Sequence, residues 1–304
     1  MYDGPIVDSH MHLWDLAQGY PWLSKPDPAF ERMIGKYDSL RRNFLVPDYL
    51  ALTRGSNIVK SVHLQAFGFP GHPVAETEWL QKQADEFGYP HGIVAFADLA
   101  DPDVDETLKR HVAFANVRGI RMSLSFPEKA DESWRRMADR DDYMRDKQWR
   151  KGFALLSRHG LSFDLQIYDH QAPDAVTLAH DFPETTIVVE HLAWPIDLSE
   201  EGFERWAQRL RSLAECPNVF LKTSAIGAVF RGSSPDLIRK YLRRAVAAFG
   251  ADRCMFGSNC PPDTLFYGFR DLVAAYGEAF SDLSPAEQHD IFYGTALRVY
   301  RLSV

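Results

Sequence analysis

Short runs of strand-forming residues alternate with longer amphipathic segments along the whole chain. The short runs predict eight β-strands, over residues 6–12, 58–66, 92–99, 117–124, 160–168, 185–193, 218–224 and 254–259. Segments with a period near 3.6 residues, such as 73–87, 200–216 and 235–250, predict helices between them. Eight strands alternating with helices over 304 residues fit a (β/α)8 TIM barrel. An open doubly wound sheet is the rival, but its usual glycine-rich phosphate turn follows no predicted strand.

Helix ends and domain organisation can also be predicted. Gly250 is placed as the C-cap of the helix over 235–250, and Ser284 with Glu287 has the spacing of a capping box. No linker or low-complexity tract divides the chain, so we expect one domain over 1–304. Residues 15–57 are too long for a simple connection between a strand and a helix. We expect this insertion to cap the mouth of the barrel.

Polar residues share one face of several predicted strands. On the first, second, fourth and fifth strands this face carries Asp8, His10 and His12, then His63 and Gln65, then Arg121 and Ser123, and then Asp164, Gln166 and Tyr168. Both faces of a strand in a parallel barrel are normally apolar. Buried polar groups need each other, water, a metal or a ligand. The pattern predicts a site inside the barrel, and an antiparallel sheet with one hydrated face is the alternative.

Three histidines are candidate metal ligands. His191 follows the apolar run "TTIVV" and Glu190, and the carboxyl ends of all barrel strands converge on one mouth, so His191 can meet His10 and His12. Three imidazoles suit Zn²⁺, Mn²⁺, Fe²⁺ or Co²⁺, and an open coordination position could activate water. The alternative for His191 is a core residue. A period of two places His191 on the face of Val189 and turns Glu190 outward.

Further side chains are candidates for substrate binding. Arg121 could anchor a carboxylate or an oxyanion, or form an ion pair with Asp98 or Asp164. Lys222 could be a second anion anchor or extend outward. The other candidates near the mouth are Gln65, Gln166, Trp14 and Tyr168, with Tyr20 and Trp22 as further wall residues.

Composition limits the partners. The formal net charge of −8 argues against nucleic acid as a partner. The chain shows no signal-peptide pattern and no apolar run of membrane-span length, and its three cysteines suit a reducing compartment. We therefore expect a cytoplasmic protein with a small-molecule substrate and no membrane partner, and homo-oligomerisation stays open.

The chain resembles a known superfamily. The His-x-His on the first strand, the single histidine on the sixth and "MFGSNCPPD" after the eighth are similar to the amidohydrolase superfamily. "LQAFGFPGHPVAETEWL", "GIVAFADLADPDV", "VRGIRMSLSF" and "GLSFDLQIYDHQ" resemble the amidohydrolase-2 group, which includes sugar lactonases and 2-pyrone-4,6-dicarboxylate lactonase. The resemblance spans most of the chain and supports the TIM barrel.

The resemblance implies one divalent metal, such as zinc or manganese, on His10, His12 and His191. The superfamily places a proton-shuttling aspartate at the end of the eighth strand, where this chain has Asn259. Asparagine can orient water or bind metal through its carbonyl oxygen but is not a general base. Asp263 could supply the missing carboxylate, or it could cap the helix that follows.

A binuclear centre is not expected, because Gln166 and Arg121 occupy the places of the usual histidine and bridging lysine. The pyrone lactonase works without a metal, so a metal-independent site stays open.

Three functions follow from these residues. The first is hydrolysis of a small lactone or related cyclic ester, with Asn259, Asp263 and His191 as catalytic residues. The second is a metal-dependent, non-oxidative decarboxylase of an aromatic or unsaturated acid, because relatives in the same group use the same ligands. The third is a binding protein without activity, suggested by Asn259.

Overall fold

Eight parallel strands form the centre of the protein, as predicted. The computed structural model describes residues 2–68, 71–128 and 136–303. The strands are β1 (Ile6–Met11), β2 (Ile58–Leu64), β3 (Gly92–Ala95), β4 (Val117–Ser123), β5 (Ser162–Gln166), β6 (Ile187–Val189), β7 (Val219–Lys222) and β8 (Cys254–Met255). They pair in sequence order from β1 to β8. Backbone hydrogen bonds from Ser9 to Phe256 and from His12 to Cys260 join β1 to the chain after β8. This is a nearly closed (β/α)8 barrel.

Helices follow the strands around the outside. They are α1 (Pro21–Ser24), α2 (Pro28–Ile34), α3 (Val46–Leu52), α4 (Ala75–Phe87), α5 (Val104–Val112), α6 (Lys147–Arg158), α7 (Ala172–Asp181), α8 (Glu200–Ala214), α9 (Ile226–Phe230), α10 (Pro235–Phe249), α11 (Phe269–Ala279), α12 (Pro285–His289) and α13 (Thr295–Val299). The capping box of Ser284 and Glu287 is confirmed, and so is the C-cap Gly250 of α10, which has a positive φ of 81°. None of the helices in the described part of the chain is long and apolar enough to span a bilayer.

Two hydrophobic clusters separate the inside of the barrel from the outside. Val94 of β3 and Val188 of β6 belong to one small cluster, although these strands are three places apart in the sheet. Only side chains that point into the barrel can meet in this way. Val62 and Leu64 of β2 lie in the same internal cluster, with Tyr300 from the end of the chain. The larger cluster packs the outer strand faces against the helices.

The polar face points inward on β4 and β5, as predicted. Arg121 and Gln166 bond to each other there, with 2.5 Å between Nη2 and Oε1. Asp164 accepts from Lys222 at 2.7 Å, and the hydroxyl of Tyr300 donates to the same carboxylate. Lys222 is completely buried, so the predictions that it anchors an anion or extends outward are both wrong. It neutralises Asp164 inside the barrel.

The prediction fails on β2 and in part on β1. On β2 the internal cluster contains Val62 and Leu64, so His63 lies on the other face, where its Nε2 is 3.2 Å from the carbonyl oxygen of Leu13. On β1 an irregularity follows Asp8, whose carboxylate accepts from Tyr49 of α3 at 2.9 Å. Asp8 therefore faces a helix while His10 faces the site, although a period of two would keep them together.

Candidate active site

The site is a cavity at the carboxyl end of the barrel, where histidines from two parts of the chain meet. The ring centroids of His10 and His12 are 5.0 Å apart, and those of His10 and His191 are 4.5 Å apart. The three predicted histidines are therefore neighbours, and all are buried. His191 lies beyond β6, where the backbone takes a positive φ of 54° at His191 and stays positive through Trp194. This turn carries the imidazole back over the barrel.

Hydrogen bonds orient two of the imidazoles. His12 places Nδ1 2.8 Å from the carbonyl oxygen of Leu64, so Nδ1 carries the proton and Nε2 has a lone pair. His191 places Nδ1 2.8 Å from the hydroxyl of Ser224. Among the residues that the structure describes, none forms a hydrogen bond with either ring nitrogen of His10. Burial is the main cause that lowers the pKa of all three histidines, and nearby positive charges lower it further. The imidazoles are therefore neutral and able to bind a cation.

Glu190 joins this group, and the prediction that it turns outward is wrong. Its Oε1 lies 3.7 Å from Nδ1 of His10 and its Oε2 lies 3.7 Å from Nε2 of His191. A period of two along β6 links Glu190 with Val188, and Val188 points into the barrel. The sequence correctly predicts which residues of β6 share a face, but the prediction of which face is internal is wrong. Burial raises the pKa of Glu190, and the guanidinium of Arg121 opposes that rise.

His10, Glu190 and His191 fit a single divalent metal ion. One ligand atom from each lies within 4.8 Å of the other two. Nitrogen and carboxylate ligands of this kind suit zinc and related ions. Oε1 of Glu190 and both ring nitrogens of His10 are buried without a hydrogen-bond partner in the described structure, and a bound cation would give a partner to Oε1 and to one of these nitrogens. The role of His12 as a metal ligand stays a prediction, although its ring adjoins the cluster.

Arg121 forms neither of the two ion pairs considered from the sequence. Its Nε donates to Oε2 of Glu190 at 3.0 Å, and its Nη2 lies 2.8 Å from the same oxygen in an ion pair. Nη1 donates to the carbonyl oxygen of Gln65 at 3.1 Å, and Nη2 also donates to Gln166. The hydrogen bonds use three of the five guanidinium N–H groups, and the ion pair places the positive charge beside a carboxylate. Arg121 lines the cavity, and Nη1 keeps a second N–H that no described hydrogen bond uses.

The side chains of Asn259 and Asp263 are joined by a hydrogen bond. Asn259 lines the cavity in a left-handed conformation with φ of 52°, and its Nδ2 donates to Oδ1 of Asp263 at 2.9 Å. Its side chain also interacts with His12. Because Nδ2 donates to Asp263, the carbonyl oxygen is the amide atom left to accept another hydrogen bond. The carboxylate of Asp263 also accepts from the backbone N–H groups of Gly227 and Ala228 at 2.8 and 3.3 Å.

Asp263 is buried and does not line the cavity, so it reaches the site through Asn259. Burial raises the pKa of Asp263 to about 7. The alternative role, as cap of the following helix, is wrong, because α11 begins at Phe269 with Gly268 as N-cap. The side chain binds the start of α9 instead. The local sequence around Asp263 could not predict this contact, because it joins two segments that are distant in the chain.

The remaining cavity walls are largely apolar. They are Trp14, Trp22, Phe30, Met33, Ile34, Ala66, Phe67, Met137, Trp194, Ala228 and Pro262. The predicted wall residue Trp14 is among them. Tyr168, Tyr20 and the side chain of Gln65 are buried but are not among the lining residues, and Gln65 meets the site through its carbonyl oxygen. Several wall residues come from the segment 15–57, expected to cap the mouth.

Comparisons with known proteins agree with this architecture. The family model described as amidohydrolase matches residues 7–302. The chain therefore belongs to the amidohydrolase family, and it is a hydrolase of that family. An uncharacterised protein, y4mH, of Sinorhizobium fredii is 39% identical over 303 residues, covering 99% of this chain and 100% of that protein.

Two further relatives have a more informative description. An L-fucono-1,5-lactonase of Burkholderia ambifaria is 28% identical over 305 residues, covering 97% of this chain and 95% of the relative. A crystal structure of an amidohydrolase from Burkholderia multivorans with bound zinc has a TM-score of 0.80 and 26% identity. It covers 98% of this chain and 100% of the other.

Proposed function

We propose that this protein opens a small lactone by adding water to the ring carbonyl. The observation that carries the proposal is the group of three neutral, buried imidazoles and Glu190 at the polar end of the cavity, where His12 and His191 are lining residues. Similarity to a lactonase at 28% identity supports the reaction class. Similarity to a zinc-containing amidohydrolase supports a metal at this position.

His10, His191 and Glu190 would hold one divalent ion, with His12 beside them, and zinc is the ion we propose. A bound zinc ion lowers the pKa of water towards neutrality and acts as a Lewis acid. Ser224 and the carbonyl oxygen of Leu64 keep His191 and His12 in fixed orientations through their Nδ1 atoms. Such outer contacts are needed to maintain the geometry of a metal site.

The other polar groups have separate tasks. The carbonyl oxygen of Asn259 accepts a hydrogen bond from the attacking water and orients it, while Asp263 prevents the amide from rotating. The remaining N–H of Arg121 donates to the oxygen that gains negative charge in the tetrahedral intermediate. The bonds from Arg121 to Glu190 keep that donor in place before the reaction begins. When the tetrahedral intermediate collapses, the ring C–O bond breaks, the proton that the attacking water has lost passes to the leaving ring oxygen, and a hydroxy acid is released.

Metal analysis and product analysis test the proposal together. Protein purified without added metal is analysed for bound metal, and ring opening of δ-valerolactone is followed by acid release, with carbon dioxide release from phenolic acids measured in parallel. We expect acid release that chelation abolishes and zinc restores. His10→Ala should lose this activity, whereas the matched control His63→Ala should retain it, because His63 is not among the lining residues of the cavity and its Nε2 contacts the carbonyl oxygen of Leu13. Wild-type activity of His10→Ala, or carbon dioxide release alone, would overturn the proposal.

A further inference from the structure

The cavity has a polar end and an apolar end. The polar end contains His12, His191, Arg121, Gln166 and Asn259. Every other described lining residue has a hydrocarbon, aromatic or thioether side chain. We infer that the substrate is a neutral lactone whose ring substituent is apolar, and this inference rests on the proposed hydrolysis of lactones.

Two tryptophans of the wall present only carbon to the cavity, because their polar atoms are already bonded elsewhere. The indole N–H of Trp14 donates to the carbonyl oxygen of Arg42 at 2.6 Å. That of Trp22 donates to the carbonyl oxygen of Ala66 at 2.9 Å. Hydroxyl groups on a ring substituent that packs against Trp14 and Trp22 would therefore lose water without gaining a partner from these two side chains, which is unfavourable.

The charge distribution disfavours a carboxylated substrate. Arg121 is the one Lys or Arg side chain among the described lining residues, and Glu190 already pairs with it. A carboxylate that entered the apolar end would be desolvated with no cation of the described walls to compensate. A neutral ring substituent avoids this cost.

The apolar end is held in a fixed position. Phe30, Met33 and Ile34 come from α2, and the guanidinium of Arg231 donates to the backbone carbonyl oxygens of Arg32 and Met33. Arg231 is the C-cap of α9, the helix whose first N–H groups bind Asp263. Helix α9 therefore contacts the apolar wall through Arg231 and also binds Asp263, which orients Asn259. A rigid apolar wall discriminates between substituents by size and polarity.

Three compounds with the same six-membered lactone ring test the inference. δ-Valerolactone has no substituent, δ-octanolactone has a propyl group, and L-fucono-1,5-lactone has hydroxyl groups. We expect kcat/KM for δ-octanolactone to exceed that for δ-valerolactone by about tenfold or more, the range that apolar pockets achieve. L-fucono-1,5-lactone and the dianion 2-pyrone-4,6-dicarboxylate should be the poorest substrates.

Failure of the inference and failure of the proposed function give different results. Preference for L-fucono-1,5-lactone or the dicarboxylate over δ-octanolactone would overturn the inference while lactone hydrolysis stands. No ring opening of any of the four compounds by the zinc-loaded protein would overturn both. Equal kcat/KM for δ-octanolactone and δ-valerolactone would also overturn the inference.

A wall variant gives a second measurement. Met33→Gln places an amide in the apolar end, and we expect the ratio of kcat/KM for δ-octanolactone to that for δ-valerolactone to fall about tenfold. The ratio is insensitive to the fraction of folded protein. Leu50→Gln is the matched control, because Leu50 is 38% exposed on α3 and does not line the cavity. An unchanged ratio in Met33→Gln would contradict the inference.

Discussion

Exchanging Asn259 and Asp263 tests how the amide is oriented. In the wild type, three donors surround the carboxylate of Asp263: Nδ2 of Asn259 and the N–H groups of Gly227 and Ala228. Asp263→Asn replaces one acceptor oxygen by an NH₂ group, so at least one donor must face another donor. Asn259→Asp instead brings two carboxylates together, because the present contact is 2.9 Å. Each single variant therefore damages the pair.

The size of the effect follows from burial. Asp263 is completely buried, so a donor left without a partner costs about 1–3 kcal/mol. A loss of about 2 kcal/mol lowers Tm by roughly 4–8 °C in a domain of 150–250 residues, and this longer chain should lie near the lower end. Freed from Asp263, the Asn259 amide can rotate, and we expect kcat to fall about 10- to 100-fold, as for loss of an outer contact.

The double variant should recover much of this loss. With Asn259→Asp and Asp263→Asn together, the new amide can donate to the new carboxylate while its oxygen accepts from Gly227. Losses in the two single variants should therefore be non-additive. Tm from calorimetry and kcat on δ-valerolactone measure both effects, and Asp271→Asn, an exposed aspartate of α11, is the control. Wild-type Tm and kcat in Asp263→Asn, or additive losses in the double variant, would refute the reasoning.

Three further predictions concern the metal, the buried ion pair and pH. Removing metal from the zinc-loaded protein should lower Tm. The free energy of unfolding should fall by about 4 kcal/mol when free zinc had exceeded Kd about 1,000-fold, and this fall should be absent in His191→Ala. In the metal-free protein, Arg121→Met should cost about 3–5 kcal/mol in urea unfolding because it leaves Glu190 buried without a cation, and adding Glu190→Gln should restore part of this loss. Wild-type stability of the single variant would contradict the pairing. Burial raises the pKa of Glu76 from 4.5 to about 7, so the folded state binds the proton more tightly and stability falls as pH rises from about 4.5 through 7. Between pH 4.5 and 8, the free energy of unfolding of Glu76→Gln should fall by up to about 3 kcal/mol less than that of the wild type. Parallel profiles of unfolding free energy against pH for the two proteins would contradict this role of Glu76.

Periodicity along the chain was sufficient to predict the barrel. Each strand is a short apolar run between amphipathic helices, and this local pattern depends on nothing distant in the sequence. The inward polar face of β4 and β5 was also readable, because Arg121 and Asp164 alternate with large apolar residues. The meeting of His10 with His191 followed from topology, since parallel barrel strands end at one mouth.

Only the tertiary structure decided which face of the other strands is internal. Alternation shows which residues share a face, but in a parallel barrel both faces are buried, so hydrophobicity cannot say which one points inward. This is why Glu190 was assigned outward and His63 inward. The irregularity after Asp8 and the positive φ angles from His191 onward also depend on contacts between distant segments. Pairing of Arg121 with Glu190 and of Asp263 with α9 has the same origin, because each joins residues that only the closed barrel brings together.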